Sequence, residues 1–285
     1  MRISIFGEAF VDTVVPFYGT KPGETYYRPI KTYPGGLLNI ALHLSELGTN
    51  VNYFGKVGND INGKFVGKCM TKANVKKNLF IDEQKPTGIC VSLIDQKGDR
   101  ILIADRGAND NILKKEIDHF LAVNQQSEIL YTSGYSLVNA NSRKLFQYLI
   151  QKSYENGTQL FFNPGSSNII NEKFRGFIKK YIDVLILNLC EAQVLCQENS
   201  IERIYEKIVD FSPTSIITLG GDGCSIITEH GFNCLAVQRK QYSDTTGAGD
   251  AFSAGFMAAK LRGRSNLDSA KFANRIADEH LKRRN

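Results

Sequence analysis

Short apolar runs of four to seven residues recur along this chain, with helix-length amphipathic segments between them. ISIF at 3–6, VNYFGKV at 51–57, EILYTSG at 128–134, QLFFN at 159–163, VLILN at 184–188 and SIITLG at 215–220 are apolar on both strand faces. Strands of that kind belong in a mostly parallel sheet with helices on both sides. One connector, NIALHLSELG at 39–48, places Ile40, Leu44 and Leu47 on one helical face and ends at Gly48. The pattern predicts a doubly wound α/β fold.

Two stretches break the rhythm. Residues 11–34 are rich in Pro, Gly and Tyr, and 85–105 read as two β-runs, GICVSLID and RILIAD, around a turn at 96–99. An extended arm and a hairpin near the start of a parallel sheet predict a small accessory sheet, a lid over the carboxyl edge of the main one. No long polar linker, internal repeat or low-complexity segment interrupts the chain.

Composition narrows the function classes. The 285 residues are 42% hydrophobic and 22% charged, and no apolar run approaches the ~18 residues that a bilayer requires. The beginning, MRISIFGEAFVDT, sets Glu8 and Asp12 close behind a short apolar run, unlike a signal or transit peptide, so a cytoplasmic protein with no membrane partner is expected. Six cysteines without metal-ligand spacing read as reduced, mostly core thiols. The excess of 35 Lys+Arg over 29 Asp+Glu suits an enzyme that handles phosphorylated anions. Lys282, Arg283 and Arg284 form the dense basic run, read as a solvated helix end, and no nucleic-acid partner is expected.

Three glycine-rich stretches are candidates for chemistry. GNDINGKF at 58–65 has Walker-like spacing, but Phe65 stands where a magnesium-holding Ser or Thr is needed. GDGCSI at 221–226 lacks the third small residue of a dinucleotide fingerprint. DTTGAGDAFSAGF at 244–256 remains: Gly247, Ala248 and Gly249 would turn backbone amides toward one point at the start of a buried helix, with Asp250 beside them. The plainer reading is a tightly packed helix start with a dipole-favoured acid. The other is phosphoryl transfer to a hydroxyl, in which the amides stabilise the moving phosphoryl charge and Asp250 takes the hydroxyl proton.

With those residues in hand, the sequence resembles the ribokinase-like (PfkB) family of carbohydrate and nucleoside kinases. DTTGAGDAFSAGF is close to the family's C-terminal signature and PGGLLNIALHLSELG at 34–48 is similar to its N-terminal one. GKVGND at 55–60, NLCE at 188–191 and TLGGDG at 218–223 follow in family order. The resemblance implies one α/β domain over 1–285, with lid segments near 11–34 and 85–105. It implies that Asp250 is the general base and that Gly247, Ala248 and Gly249 form the anion hole. Asp12, at the end of the first strand, would bind sugar hydroxyls with Gly35, Gly36 and Asn39. Otherwise Gly35, Gly36 and Asn39 would be a turn and a helix cap. Arg106 and Asn109, in DRGAND, would meet a substrate. Asn188, Thr218, Gly220, Gly223 and Asn274 would lie along ATP, with Glu191 organising Mg2+ through water.

The chain ends at Asn285, soon after Asn274, which is shorter than the family's usual close and bears on nucleotide cover and on any monovalent-cation site there. The expected activity is ATP-dependent phosphorylation of a primary hydroxyl on a small free sugar, ribose or fructose. A nucleoside kinase would use lid aromatics such as Phe10, Phe17, Tyr26, Tyr27 and Tyr33. A 2-keto-3-deoxygluconate kinase would use Arg28 or Arg106 as a carboxylate clamp. A catalytically silent sugar-binding protein is the non-enzyme alternative. A homodimer through the lid sheet is the expected assembly.

Overall fold

The computed structural model describes residues 2–16, 30–94, 100–125, 127–242 and 244–284. The first half runs β1 (Arg2–Phe6), β2 (Ala9–Pro16), β3 (Lys31–Gly36), α1 (Leu38–Glu46), β4 (Asn50–Gly58), α2 (Ile61–Lys72), β5 (Lys76–Asp82), β6 (Gly88–Ile94), β7 (Arg100–Asp105) and α3 (Lys114–Val123). There follow β8 (Ile129–Ser133), α4 (Ala140–Glu155), β9 (Gln159–Asn163), α5 (Glu172–Tyr181), β10 (Val184–Asn188), α6 (Leu189–Cys196) and α7 (Ile201–Ile208). The last are β11 (Thr214–Thr218), β12 (Cys224–Thr228), β13 (Gly231–Leu235), α8 (Ala248–Leu261) and α9 (Asn266–Arg284).

Nine strands form the large sheet in the order β13-β12-β11-β10-β9-β8-β1-β4-β5. It is parallel except where β12 pairs with β11 and β13. Alternation along each strand divides the core between the two faces, as the period of two requires. Ile3 and Ile5 of β1 and Val184 and Ile186 of β10 pack with α1 and α8. Phe6, Leu185 and Leu187 face the other way, toward α3 to α7. The predicted doubly wound fold is what the chain forms.

The small sheet has the order β3-β2-β6-β7, with β2 and β6 parallel and the outer pairs antiparallel. The arm and hairpin expected from sequence supply all four strands, while the proposed turn at 96–99 lies outside the described residues. Asp12 corrects the sequence reading in one respect. It belongs to β2, opposite Tyr33, because the chain leaves the large sheet at Gly7 and Glu8 before reaching it. The cysteines correct another: only Cys196 and Cys224 are buried, and Cys190 and Cys234 are exposed.

A buried charge cluster ties the two sheets together. The Lys56 ammonium, 2% exposed, meets Glu116 at 2.9 Å, Asp82 at 3.4 Å and the Asn111 carbonyl at 2.6 Å. Asp82, at the end of β5, also accepts the Gln84 and Lys85 amides that lead into β6. Burial alone would raise the Asp82 carboxyl, but these hydrogen bonds, the Asn111 amide and Lys56 hold it down to about 2. Its contribution is therefore present above the unfolded value of 3.8 and fades as pH falls toward 2. Lys56→Ala strands two buried carboxylates, and urea unfolding is expected to show a loss of about 3–5 kcal/mol. A loss below about 1 kcal/mol would mean that the cluster contributes little to the fold.

Candidate active site

Alternating apolar residues decide where α8 goes. Ala251, Phe252, Ala254, Phe256 and Met257 are all buried, so the helix is sunk in the core from its first turn. Its start is therefore fixed, and Gly247 caps it at φ +79, a left-handed conformation that a residue with a Cβ adopts only under strain. The Ala251 amide already closes the first helical bond onto the Gly247 carbonyl. Of the amides before it, that of Ala248 donates to the Thr245 carbonyl at 3.3 Å, and the open side of Gly249 faces no atom within 4 Å.

Asp250 stands half-buried in that first turn, and its charge is felt by two tyrosines at the sheet edge. Burial first, then Asp250, raises the Tyr131 phenol far above its ordinary range, although a hydrogen bond with Ser253 opposes this. Burial, then Glu191, Glu8, Cys90 and Asp250, push Tyr135 up to about 12. Tyr135 thus lies within electrostatic reach of α8, α6, the end of β1 and the small sheet. Those are the elements from which the sequence drew its separate candidates.

On the small sheet, Asp12 and Gly35 are fitted to one another. A Cβ on Gly35 would lie 1.9 Å from the Asp12 Oδ1, so the carboxylate rests directly on the glycine backbone. Burial lifts the Asp12 carboxyl to about 6. Gly36 packs against the Glu8 carbonyl, and Asn39, half-buried, sits in the first turn of α1. Asn39 is not the helix cap; Leu37 holds that position.

Arg106 and Asn109 are placed differently from Asp12. Arg106 pairs with Asp110 at 2.6 Å and Glu8 at 3.5 Å. Asn109 is 3% exposed, accepts the Ala9 amide and donates to the Ala9 and Arg106 carbonyls. Both side chains are engaged in holding the small sheet to the end of β1. Glu8, buried and also bonded by Ser136, joins them there. Sequence reasoning noted Glu8 only as an acid near the N-terminus, and the apolar residues around it gave no sign that its charge would be matched.

The second half supplies a row of candidates along the same edge. Asn188 and Glu191 form a reciprocal capping box at the start of α6, and burial raises the Glu191 carboxyl against the pull of those bonds. Thr218 ends β11 opposite Cys224, and Gly220 and Gly223 turn the chain between them. Asn274, on α9, contacts the Cys224 sulfur at 3.6 Å. Thr218, Gly220, Gly223 and Asn274 are thereby gathered at one corner. The Walker-like loop is not a phosphate loop: its Gly63 amide goes to Asp60, which caps α2 and binds Thr87.

Among the described residues no group of three or more His, Cys, Asp or Glu could hold a metal ion, and no helix is long and apolar enough to cross a membrane.

The pfkB family carbohydrate kinases match residues 2–285. An uncharacterised sugar kinase of Archaeoglobus fulgidus is 27% identical over 82% of this chain and 92% of its own. An adenosine kinase of Saccharomyces cerevisiae is 30% identical over 75% of this chain and 66% of its own. A crystal structure of fructokinase from Vibrio cholerae, in a fructose-, ADP- and calcium-bound form, is 25% identical with a TM-score of 0.80, covering 96% of this chain and 90% of that one. The chain belongs to the pfkB family of carbohydrate kinases, and is a sugar or nucleoside kinase that transfers a phosphoryl group to an alcohol.

Proposed function

We propose that the whole chain acts as one ATP-dependent kinase domain that phosphorylates a primary hydroxyl of a small free sugar, ribose or fructose in type. The observation that carries this reading is Asp250 in the first turn of the buried helix α8, directly behind the left-handed Gly247. Asp250 takes the acceptor's proton, and the amides of Gly247, Ala248 and Gly249 stabilise charge on the transferring group. Asp12, Gly35, Gly36 and Asn39 hold the sugar hydroxyls. Thr218, Gly220, Gly223 and Asn274 line the nucleotide, with Asn188 at its phosphate end. The small sheet is the lid.

Preference for a neutral sugar rests on charge and packing. Arg106, the clamp a 2-keto-3-deoxygluconate would need, is already matched by Glu8 and Asp110. Of the aromatics a nucleoside base would use, Phe10 is packed inside the small sheet and Tyr33 is covered by Arg284; Phe17, Tyr26 and Tyr27, like Arg28, lie outside the described residues.

Magnesium fits the donor set in a limited way. Glu191, a single buried carboxylate, suits an ion held mainly by water and phosphate oxygens, and when bound the ion would neutralise phosphate charge. A monovalent cation fits poorly: Asp244, the carboxylate beside the glycine turn, already carries the Arg284 guanidinium on one oxygen and the Thr246 amide on the other. Free thiols and an enzyme that uses ATP suit the cytoplasm.

Coupled ADP release with magnesium, across ribose, fructose, 2-keto-3-deoxygluconate, adenosine and cytidine, tests the substrate class. Strong stimulation by ribose or fructose is expected, and stimulation by adenosine or cytidine alone would overturn the sugar assignment. On the active acceptor, Asp250→Asn should lower kcat by about 100- to 10,000-fold with both KM values little changed, since the amide keeps the shape but accepts no proton. A kcat within about threefold of wild type would remove Asp250 as the base.

Ionised, Asp12 can accept sugar hydroxyls on both oxygens, whereas protonation turns one of them into a donor and weakens the other, so the sugar KM should climb as pH falls through about 6. Without sugar the sign is reversed. Burial favours the protonated form, so stability is fullest below the unfolded value of 3.8 and declines as pH rises through about 6. Asp12→Asn should flatten that stability profile while raising the sugar KM, and a variant with an unchanged sugar KM would take Asp12 out of the sugar site.

Homodimer formation is proposed through β7, an edge strand of the small sheet in which Ile101, Leu102 and Ile103 are 63%, 60% and 58% exposed. Light scattering should give twice the 31.8 kDa chain mass, with Leu102→Lys reducing it toward one. A wild-type protein of single-chain mass at micromolar concentration would rule this assembly out.

A further inference from the structure

The basic residues at the end of α9 are not equivalent. Lys282 and Arg283 have side chains 56% and 62% exposed and pair with surface acids, as a solvated helix end should. Arg284 is 20% exposed and turned inward. Its Nε and Nη2 donate to one Asp244 oxygen at 2.9 and 2.7 Å, while the other Asp244 oxygen accepts the Thr246 amide at 2.9 Å. One turn earlier on the same face of α9, the His280 Nε2 lies 2.8 Å from the Thr246 carbonyl, and 2.9 Å from where a Cβ on Gly247 would be. The loop that leads into the anion hole is thus held at a carboxylate, an amide and a carbonyl, all from α9 or through it.

The same guanidinium has a second contact. It lies 5.2 Å over the Tyr33 ring, on β3 of the small sheet, two residues from the Gly35 backbone on which Asp12 rests. On the function proposed above, residues 244–247 adjoin the transferring phosphoryl group and β3 adjoins the sugar.

Charge adds a reason for a guanidinium at this point. A bare carboxylate at Asp244, a few residues before the anion hole, would oppose the negative charge that builds there in the transition state. Partial burial alone would raise its pKa, but the Thr246 and Arg284 contacts outweigh that and hold the carboxyl below its ordinary value. Arginine can grip the carboxylate through two donors and still lie flat against a ring, which lysine cannot do.

We propose that Arg284 is a positioning residue for phosphoryl transfer: a counter-ion built into the chain that fixes the 244–247 loop, aims the anion-hole amides and ties that loop to the sugar-binding strand β3. This rests on the anion-hole reading given above. In place of a soluble cation, the end of α9 supplies the positive charge at Asp244.

Arg284→Met and Arg284→Lys, compared with wild type, test it with two readouts. Steady-state turnover on the acceptor that wild type uses should show kcat lower by about 10- to 100-fold in Arg284→Met, with the ATP and sugar KM values within about threefold. Arg284→Lys should recover part of the loss, as should added guanidinium chloride at millimolar concentration with Arg284→Met. Hydrogen exchange followed by mass spectrometry should show faster exchange in 244–250 and 31–36 of Arg284→Met, and an unchanged pattern in β8 to β10.

Unchanged kcat in Arg284→Met overturns the proposal, and does so even if the loop exchanges faster, because Arg284 would then be a staple for the helix end alone. Faster exchange throughout the chain with equal loss in all activities overturns it as well, by marking a general folding defect. A wild-type protein that turns over no acceptor in the panel sinks the kinase reading itself. In that event exchange confined to 244–250 and 31–36 would still assign Arg284 to the loop, and unchanged exchange would remove it from both.

Discussion

A helix that is apolar on every side has no surface to offer water, and the arrangement of this protein follows from where α8 must therefore lie. From Ala251 to Ala259 its residues are buried against α1, α9 and one face of the large sheet. Apart from Ser253, which hydrogen-bonds Tyr131, its polar groups lie at its ends. The N-terminal end, with its helix-start amides and Asp250, emerges at the carboxyl edge of the parallel strands, the place where open α/β sheets bind ligands. The left-handed turn at Gly247 is the local consequence, since the chain has to enter the core abruptly from a polar loop. A side chain at that position would meet the ring of His280.

The small sheet faces a different constraint. It grows out of the large one within two residues of β1, so its position depends on how Gly7 and Glu8 are held. The Glu8 carbonyl accepts the Leu37 amide and the Tyr53 hydroxyl, while its carboxylate takes Ser136 and Arg106. Asn109 repeats the device one residue later by bridging the backbone of Ala9. These are buried polar groups with matched partners, costly to break and specific in direction. They fix β2 and β3 where the chain leaves β1, while Ala9 and Val11 of β2 remain packed in the main core.

The division between what could be read from sequence and what could not follows the same physics. Central strands such as QLFFN and VLILN were legible because burial on both faces demands continuous apolar runs. The edge strands β5 and β13 were not, since KKNLFID and GFNCL answer partly to solvent. The glycine turn and the buried helix behind it were legible because Ala251, Phe252, Ala254, Phe256 and Met257 can sit only in a core, which fixes where α8 begins. Asn109 was assigned to a substrate and turns inward to the backbone, and Arg284 was assigned to solvent and turns inward to Asp244. In both cases the residue type and its spacing are compatible with either direction, and the decision is made by a partner 100 or 40 positions away.

The proposed preference for a neutral sugar rests on charge that is already settled. Arg106 has its acids, Arg284 has Asp244, and Lys56 is closed within its own cluster, so the cations that would attract an acidic acceptor are engaged elsewhere. Asp12 is the reverse case, a carboxylate whose burial makes ionisation costly until hydroxyl donors arrive. A sugar offers such donors in pairs and adds no charge. An acceptor carrying its own carboxylate would bring like charge to Asp12, and one lacking the hydroxyls would leave a buried acceptor group unpaired. Discrimination of that kind is stronger than an apolar pocket achieves by shape, because the cost falls on an unsatisfied polar group and not on a missing contact.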